Sequence, residues 1–581
     1  MSEVKITEEI RRNEHAGLSG LLLPIALTVR ILCAQFSIIP DCDEVFNYWE
    51  PTHFLTRGFG LETWEYSPVY AIRSWFYVWI HALILKGCLK CGIPQENLFF
   101  ALRAVLGTFC AYCEVHLFYS IKARISSRAA QLFAVFSLSA PGMFHASVTF
   151  LPSSFSMYWT MLSFSTMIRT DMTVSAKTIS FFAVSAIVGW TFAAAVAIPY
   201  FVTILWQVLH ESRPKSLSNL GKAVTLSAAL LTAVMVVDSK AFGKLQCVPM
   251  NIVLYNVFGT EHTGPNIFGT EPWIYYVHNL LLNFHFIAVF AAFSSIILMM
   301  LLFSNHQDTP TNLLVNLLLP LFFWSGIFFL QPHKEERFFY IVYPLISLNG
   351  SIFVDFSLSI FSTWARKSGF SSRLVFIWIS CFFIFTTSMI IFIGLVRILA
   401  LHSFYFAPIM TYSALLQQST ASPISNVCVG REWYRYPSSF FLQDNMRLKF
   451  IQSDFDGLLP TEFEGKPWTK AASRIPVGLN NVNKEEVSFY FPVDNCDYII
   501  DSNFTSSTSQ GTFEQQYILD EQHWSLVTCF PFIDSDRTSV LARIVKLPQW
   551  IEDLIPDTPL FRREWTSYCL LKRREVIVNT D

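Results

Sequence analysis

Pro40–Trp75 reads PDCDEVFNYWEPTHFLTRGFGLETWEYSPVYAIRSW and lies between long apolar runs that carry almost no charge. It holds the acids Asp41, Asp43, Glu44, Glu50, Glu62 and Glu65 and the bases His53, Arg57 and Arg73. Interleaved with these are the rings Phe46, Tyr48, Trp49, Trp64, Tyr66 and Tyr70. Carboxylates are costly in or beside hydrocarbon, so a cluster in this setting calls for a reason. One reading is a solvated loop between two membrane helices. The other is a catalytic loop at the membrane surface, covering 39–73, in which a carboxylate acts as base and the rings grip a sugar. The combined density of acids and aromatics favours the second.

Composition supports the membrane setting. With 581 residues, 52% hydrophobic and 14% charged, the chain is too apolar for an ordinary soluble enzyme. The 56 phenylalanines suit helices that face lipid. A net charge of -2 leaves no basic excess to neutralise phosphates, which excludes nucleic acid as a partner. The class is a polytopic α-helical membrane protein. Cys88/Cys91 and Cys110/Cys113 have CxxC spacing but sit in or beside apolar segments, where helix packing explains them better than metal or redox chemistry.

Met1–Ala16 is polar and carries Lys5, Arg11 and Arg12, and Gly17–Pro40 is the first run long enough to cross a bilayer. It has no clear small-residue cleavage site, so a retained span is expected rather than a signal peptide. The basic residues before it favour a cytoplasmic amino terminus. Further spans are expected near 72–90, 98–120, 129–148, 152–168, 176–208, 222–238, 279–304, 312–331, 337–356 and 374–400, about eleven in all. That odd count puts the Asp43 loop and the carboxyl terminus on the opposite, lumenal face. The basic connectors His210–Lys222 and Arg366–Arg373 then fall on the cytoplasmic side, whereas Lys122–Arg128 falls on the wrong one.

From Leu401 onward charges return, and Val487–Pro492 and Leu526–Ile533 alternate like strands. The expected division is a membrane-embedded domain, 1–400, and a water-exposed mixed α/β domain, 401–581. The latter contains the sequon Asn503-Phe504-Thr505, which suits a lumenal location. It also contains Cys428, Cys496, Cys529 and Cys569, which an oxidising lumen could pair in three ways.

Two constellations carry the chemistry. Asp43 and Glu44 follow the first span, and adjacent side chains diverge, so one is expected to reach the substrate and the other to support it. Asp43 is taken as the general base and Glu44 as its support. The second constellation is His333-Lys334-Glu335-Glu336-Arg337, between two apolar runs. Taken alone it reads as a solvated turn. Functionally it reads as a phosphate grip: Arg337 offers a planar fork, Lys334 a point charge and His333 a tunable donor, with Glu335 or Glu336 orienting them. Trp64, Glu65, Tyr66 and Arg73 are candidates for substrate contact. A third set, Asn251–Phe258 and Gly269–Tyr275, could stack a sugar on Trp273 beside Glu271.

Asp41–Phe54, Thr63–Trp75, Asn251–Phe258, Gly269–Trp273, His333–Pro344 and Cys428–Leu442 together resemble glycosyltransferase family 22. HKEER-F is shared across that family. DCDE…NYWEP, TWEYSP and EWYR-PSSFF resemble its α-1,2-mannosyltransferases of asparagine-linked glycosylation. One departure is Thr191 in Gly189-Trp190-Thr191-Phe192, where the family pattern has proline. The resemblance implies a GT-C fold and a multi-pass protein of the endoplasmic reticulum membrane with a lumenal active site. It implies dolichyl-phosphate mannose as donor and a dolichyl-pyrophosphate-linked oligosaccharide as acceptor, extended by the seventh and ninth mannoses with inversion. The matching Asp-Glu pair is the family's proposed catalytic position. No metal or other cofactor is expected, because a lipid monophosphate leaving group carries less charge than a nucleotide diphosphate. The Arg-, Trp- and Tyr-rich Cys428–Leu442 segment suggests that the 401–581 domain helps hold the acceptor through Arg431 or Arg435. The alternatives are a glycosylphosphatidylinositol-precursor mannosyltransferase and a transporter of lipid-linked sugar. A transporter would call for ionisable residues lining a path within the spans.

Overall fold

The computed structural model describes residues 20–211, 214–260, 263–303, 309–418, 423–504, 515–554 and 558–574. The polar segment Met1–Ala16, residues 212–213 of the His210–Lys222 connector and Thr505 of the sequon lie outside the described residues. Two compact units form, and they interleave along the chain. The first takes Met1–Gln35, Arg103–Leu231 and Glu271–Leu395; the second takes Phe36–Leu102, Thr232–Thr270 and Val396–Asp581. The acidic loop therefore belongs to the same unit as the carboxyl-terminal strands.

Among the described residues, six helices are long and apolar enough to cross a membrane. They are Gln95–Arg124, Thr191–His210, Pro214–Phe242, Thr311–Leu330, Glu336–Lys367 and Ser372–Tyr405. A seventh results if Ile274–Phe284 and Phe286–Leu302, bent by 117° at His285, count as one span. Of the other expected segments, 152–168 is the unbroken helix Pro152–Arg169, and the rest are broken or short. The run 129–148 divides at Ala140 into Ser127–Ser139 and Pro141–Ala146, and 176–208 breaks at Gly189–Trp190. Leu22–Phe36 is 15 residues long.

The segment at 72–90 differs most from expectation. Trp75–Lys90 has 16 residues and carries His81, Lys86 and Lys90, so it is shorter and more polar than a bilayer crossing requires. Its amino-terminal end is capped by Asp238, which accepts from Ser74 Oγ (2.9 Å) and Phe76 N–H (3.0 Å). Trp75 and Val78 pack with Phe54, Tyr66 and Phe463 in the core of the second unit. Gln95–Asn97, just past its other end, share a cavity with Arg57 and Asp444 of that unit. Both ends of this helix stay in one unit.

In the first unit, local chemistry sets helix starts: Ser126 Oγ accepts from Ala129 N–H (2.9 Å), and Ser175 Oγ from Thr178 N–H (3.3 Å). Where the chain leaves its helix, Gly189 is required, since a Cβ there would lie 2.2 Å from Ser156 Oγ. The helix is interrupted at Trp190, whose backbone is extended, with Thr at position 191. Arg30 is fully buried and binds Glu114 through two nitrogens, at 2.9 and 2.5 Å, and also Met143 O (3.2 Å) and Ser137 O (3.0 Å). Such a saturated pair joins helices; it lines no open path, so it does not serve the transporter alternative.

The second unit contains a five-stranded sheet in the order β3-β2-β5-β7-β6. Its strands are β2 (Ser425–Val429), β3 (Met446–Phe450), β5 (Tyr498–Ser502), β6 (Trp524–Ile533) and β7 (Trp565–Arg573). β2 runs parallel to β3 and β5, while β7 is antiparallel to β5 and β6. A two-stranded pairing of β1 (Leu61–Glu62) with β4 (Thr461–Glu462) fastens the acidic loop to the carboxyl-terminal segment. Of the expected strands, Leu526–Ile533 is observed within β6, whereas Val487–Phe489 is a single 3₁₀ turn. The cysteines pair as Cys428–Cys496 and Cys529–Cys569, each bond joining neighbouring parts of the sheet.

Candidate active site

The acidic loop is a continuous run of helical turns. Asp41 caps it: its Oδ1 accepts from Asp43 N–H at 2.9 Å. Cys42–Glu44 leads into a π-helical stretch, Val45–Trp49, and then an α-helix, Glu50–Arg57, which ends on left-handed Gly58. The adjacent carboxylates diverge. Asp43 keeps 35% of its side chain exposed, whereas Glu44 is fully buried and its Oε1 accepts from Trp49 Nε1–H at 3.0 Å. Of the two, Asp43 can meet a substrate and Glu44 fixes the turn on which it stands.

Arg73 returns to this helix start. It donates to Glu65 through Nε (3.0 Å) and Nη2 (2.7 Å) and to the Tyr48 hydroxyl through Nη1 (2.9 Å). Its Nη2 lies 3.9 Å from Asp43 Oδ2. Burial works against the Arg73 charge, but Glu65, Tyr48 and Asp43 outweigh it and hold its pKa above the ordinary value. The turn before it is tight. Ala71 is left-handed at φ 46°, a conformation costly for a residue with a Cβ, and Asn251 Nδ2 holds its carbonyl at 3.0 Å. Asp43, Glu65 and Arg73 are thus brought together. Trp64 packs beside them against Tyr70 and Tyr255, with ring centres 5.2 and 5.3 Å away. Tyr66 is a correction: it is fully buried and its hydroxyl donates to Asn47 O at 2.7 Å, so it braces the loop from inside.

Behind the helix, Glu50 accepts from Ser439 N–H (2.6 Å), Ser439 Oγ (2.8 Å) and Leu61 N–H (3.0 Å). Burial still dominates and lifts its pKa to about 7. Gly60 is required here, since a Cβ would lie 2.5 Å from Glu50 O. Phe46 stacks near Trp433 and Tyr436, and Trp49 meets Phe440 edge-on at 5.6 Å. The Cys428–Leu442 segment therefore props the acidic loop. Arg431 binds Asp501 (3.1 Å) and Ser502 O, and Arg435 pairs with Glu432 (2.5 Å) amid the rings of Tyr434, Phe504 and Phe532. Both arginines are committed within their own domain, which counts against the expectation that they hold the acceptor.

The His333–Arg337 turn belongs to the first unit. Glu335 sits between two cations: His333 Nε2 is 3.0 Å from its Oε1, and Arg337 Nε pairs with its Oε2. Lys334 corrects the grip. It is buried, and its ammonium donates to the carbonyls of Glu271 (2.8 Å) and Gln331, closing the turn rather than offering a charge. Glu271 also donates its N–H to Pro332 O at 2.9 Å, while Trp273 remains 60% exposed. Glu336 faces inward and accepts from Tyr343 Oη (3.1 Å) and Asn279 Nδ2 (3.0 Å), with His145 Nε2 at 2.6 Å. His145 was not legible as a site residue: a lone histidine in an apolar run gives no signal until the fold pairs it.

Asp41, Cys42 and Asp43 can each bring one ligand atom within 4.8 Å of the others. Two of these residues also make other contacts: Asp41 caps the helix through Oδ1, and Asp43 Oδ2 lies 3.9 Å from Arg73 Nη2.

The fold defines a class first. The chain aligns with the crystal structure of ArnT from Cupriavidus metallidurans bound to undecaprenyl phosphate, at a TM-score of 0.51 and 10% identity, over 84% of this chain and 93% of that one. This is the GT-C fold, in a membrane-embedded, multi-span protein. The chain belongs to the Alg9-like mannosyltransferase family, whose pattern matches residues 21–443. It is 37% identical to alpha-1,2-mannosyltransferase alg9 of Schizosaccharomyces pombe, over 96% of this chain and 95% of that protein. It is 35% identical to ALG9 of Homo sapiens, over 90% and 85%. The function is accordingly that of an α-1,2-mannosyltransferase in N-glycan precursor assembly. GPI alpha-1,2-mannosyltransferase 3 of Danio rerio shares 24% over 64% of the chain, so that alternative is not favoured.

Proposed function

We propose that the protein moves mannose from dolichyl-phosphate mannose to a dolichyl-pyrophosphate-linked oligosaccharide, adding the seventh and ninth mannoses at the lumenal face of the endoplasmic reticulum membrane. Asp43 accepts the proton of the acceptor hydroxyl as its oxygen attacks the anomeric carbon. The bond from that carbon to the phosphate oxygen breaks on the opposite side, dolichyl phosphate leaves, and the configuration inverts. A base of this kind contributes roughly 10²–10⁴-fold. The observation that carries the assignment is the contrast within one turn: Asp43 is part-exposed beside Arg73, while Glu44 is buried on Trp49. Glu65 and Tyr48 keep Arg73 in place, and Trp64 shapes the neighbouring surface.

Arg337 and His333 stabilise charge on the leaving phosphate, with Glu335 orienting both. The polyprenyl phosphate named for the ArnT crystal supports a lipid phosphate donor. Transfer proceeds without a metal, since the leaving group is a monophosphate and the guanidinium can meet it. Removing the crossing at 75–90 supports the lumenal placement: the basic Lys122–Arg128 connector then falls on the cytoplasmic side with the amino terminus.

The test is mannose transfer by purified protein in detergent to a six-mannose lipid-linked acceptor, in chelator, with wild type and Asp43→Asn side by side. Wild-type turnover lost in a folded Asp43→Asn protein that still binds donor supports the reading. Full activity in that variant removes Asp43 as base. Loss of wild-type turnover on chelation points instead to Asp41, Cys42 and Asp43 as metal ligands.

A further inference from the structure

The helix that begins at Asp43 ends beside a cavity of about 550 Å³, enclosed by Arg57, Gln95, Asn97, Gln417, Phe441 and Asp444 within the second unit. We propose that this cavity is a subsite for a neutral oligosaccharide and seats an arm of the acceptor glycan other than the one being extended. The inference rests on the acceptor assigned above.

The lining chemistry selects the ligand class. Arg57 pairs with Asp444, which leaves Glu96 as the uncompensated charge, so the cavity has no positive excess for a phosphate. His53 at its edge adds none, because burial lowers its pKa to about 3. An isoprenoid chain would leave the amides of Gln95, Asn97 and Gln417 facing hydrocarbon. These three have no side-chain hydrogen-bond partner among the described residues, whereas Gln443 nearby is committed to the carbonyls of Leu415 (2.8 Å) and Gln418 (2.6 Å). An amide donates and accepts at once, which matches the hydroxyls of a neutral sugar. The buried rings of Phe440 and Phe441 back the cavity, and part-exposed Phe100 and Leu416 give its lining apolar surface for the C–H face of a pyranose ring. The volume lies within the usual range for sites that enclose a small ligand.

Position links the cavity to the reaction. Asp43 and Arg57 lie on contiguous helical turns, so at 1.5 Å per residue they are about 20 Å apart. One sugar cannot bridge that distance; a branched glycan can. The cavity floor also touches the catalytic turn, because Phe440 packs edge-on against Trp49, and Trp49 donates to Glu44. An occupied subsite thereby bears on the segment that carries the proposed base.

The experiment uses the full chain in detergent with two acceptors: a branched six-mannose lipid-linked oligosaccharide, and a linear one ending in the same mannose with the other arm removed. Gln95→Ala/Asn97→Ala alters two exposed side chains in a short connector, and Gln417→Ala alters a third from a distant segment. Each is expected to raise KM for the branched acceptor about five- to tenfold, the loss of one or two net hydrogen bonds. KM for the linear acceptor and kcat for both should stay within about twofold, which also serves as the folding control. Equal effects on the two acceptors, or none on either, would overturn the subsite. So would a wild type with the same KM for both. If the wild type turns over neither acceptor, the acceptor assignment itself fails.

Discussion

The Asp43–Arg73 loop and the His333–Arg337 turn both concentrate charge between apolar runs, yet the fold uses their charges differently. In the loop, Glu65 and Tyr48 hold Arg73 by three hydrogen bonds while Asp43, 3.9 Å away, keeps a third of its side chain open. In the turn, Lys334 closes the backbone, Glu336 anchors three neighbouring side chains, and His333 and Arg337 pair with Glu335. Charge density in a sequence therefore marks a site without saying which charges serve the substrate and which hold the scaffold. Burial and partner geometry decide that.

The largest effect should separate the two halves of the Asp-Glu pair. Asp43→Asn is expected to lower the single-turnover rate by about 10²–10⁴-fold with an unchanged melting temperature. Glu44→Gln should instead lower the melting temperature with a smaller loss of rate, because it disturbs a buried hydrogen bond to Trp49. A reversed pattern would exchange their roles.

Within the turn, Arg337→Ala should raise the donor KM about tenfold or more, since a charge-assisted contact to phosphate is lost. Lys334→Met should leave the donor KM near wild type and cost about 1–3 kcal/mol of stability, because it deprives two carbonyls of their donor. Equal KM effects from both would restore Lys334 to the phosphate grip.

His145→Ala should cost about 1.5–3 kcal/mol by removing one donor to the Glu336 carboxylate, with His145→Gln recovering part of it in thermal unfolding. No change in unfolding would show that Asn279 and Tyr343 suffice to hold Glu336.

The last comparison concerns pH. Burial lifts the Glu62 carboxyl from 4.5 to about 8, with Arg474 opposing. A raised folded-state value means its contribution is full at low pH and is lost as pH rises through about 8. Glu62→Gln should flatten that decline between about pH 5 and 8 in melting curves, and an unchanged slope would assign the decline elsewhere.

Apolar runs, the acidic loop, the HKEER turn and the change of composition near Leu401 were all legible, because hydrophobic length and charge clustering are local properties. Local pattern also explains the misreading at 72–90. An apolar face that packs on Phe54, Tyr66 and Phe463 looks the same in sequence as one that faces lipid. Tyr66 failed for a related reason, since a tyrosine beside acids gives no hint that its hydroxyl will end on Asn47 O. The Arg30–Glu114 pair and the His145–Glu336 contact join residues 84 and 191 positions apart, a separation that no spacing rule reaches.

The sequence by itself determined a polytopic membrane protein of the Alg9-like family and singled out the two charged stretches proposed to carry its chemistry. Tertiary structure decided which of two adjacent carboxylates is open, which cations are already occupied, which cysteines pair, and that the carboxyl-terminal segment braces the acidic loop. Residue type and order set what a side chain can do. Whether it is free to do it depends on burial and on partners brought from far along the chain.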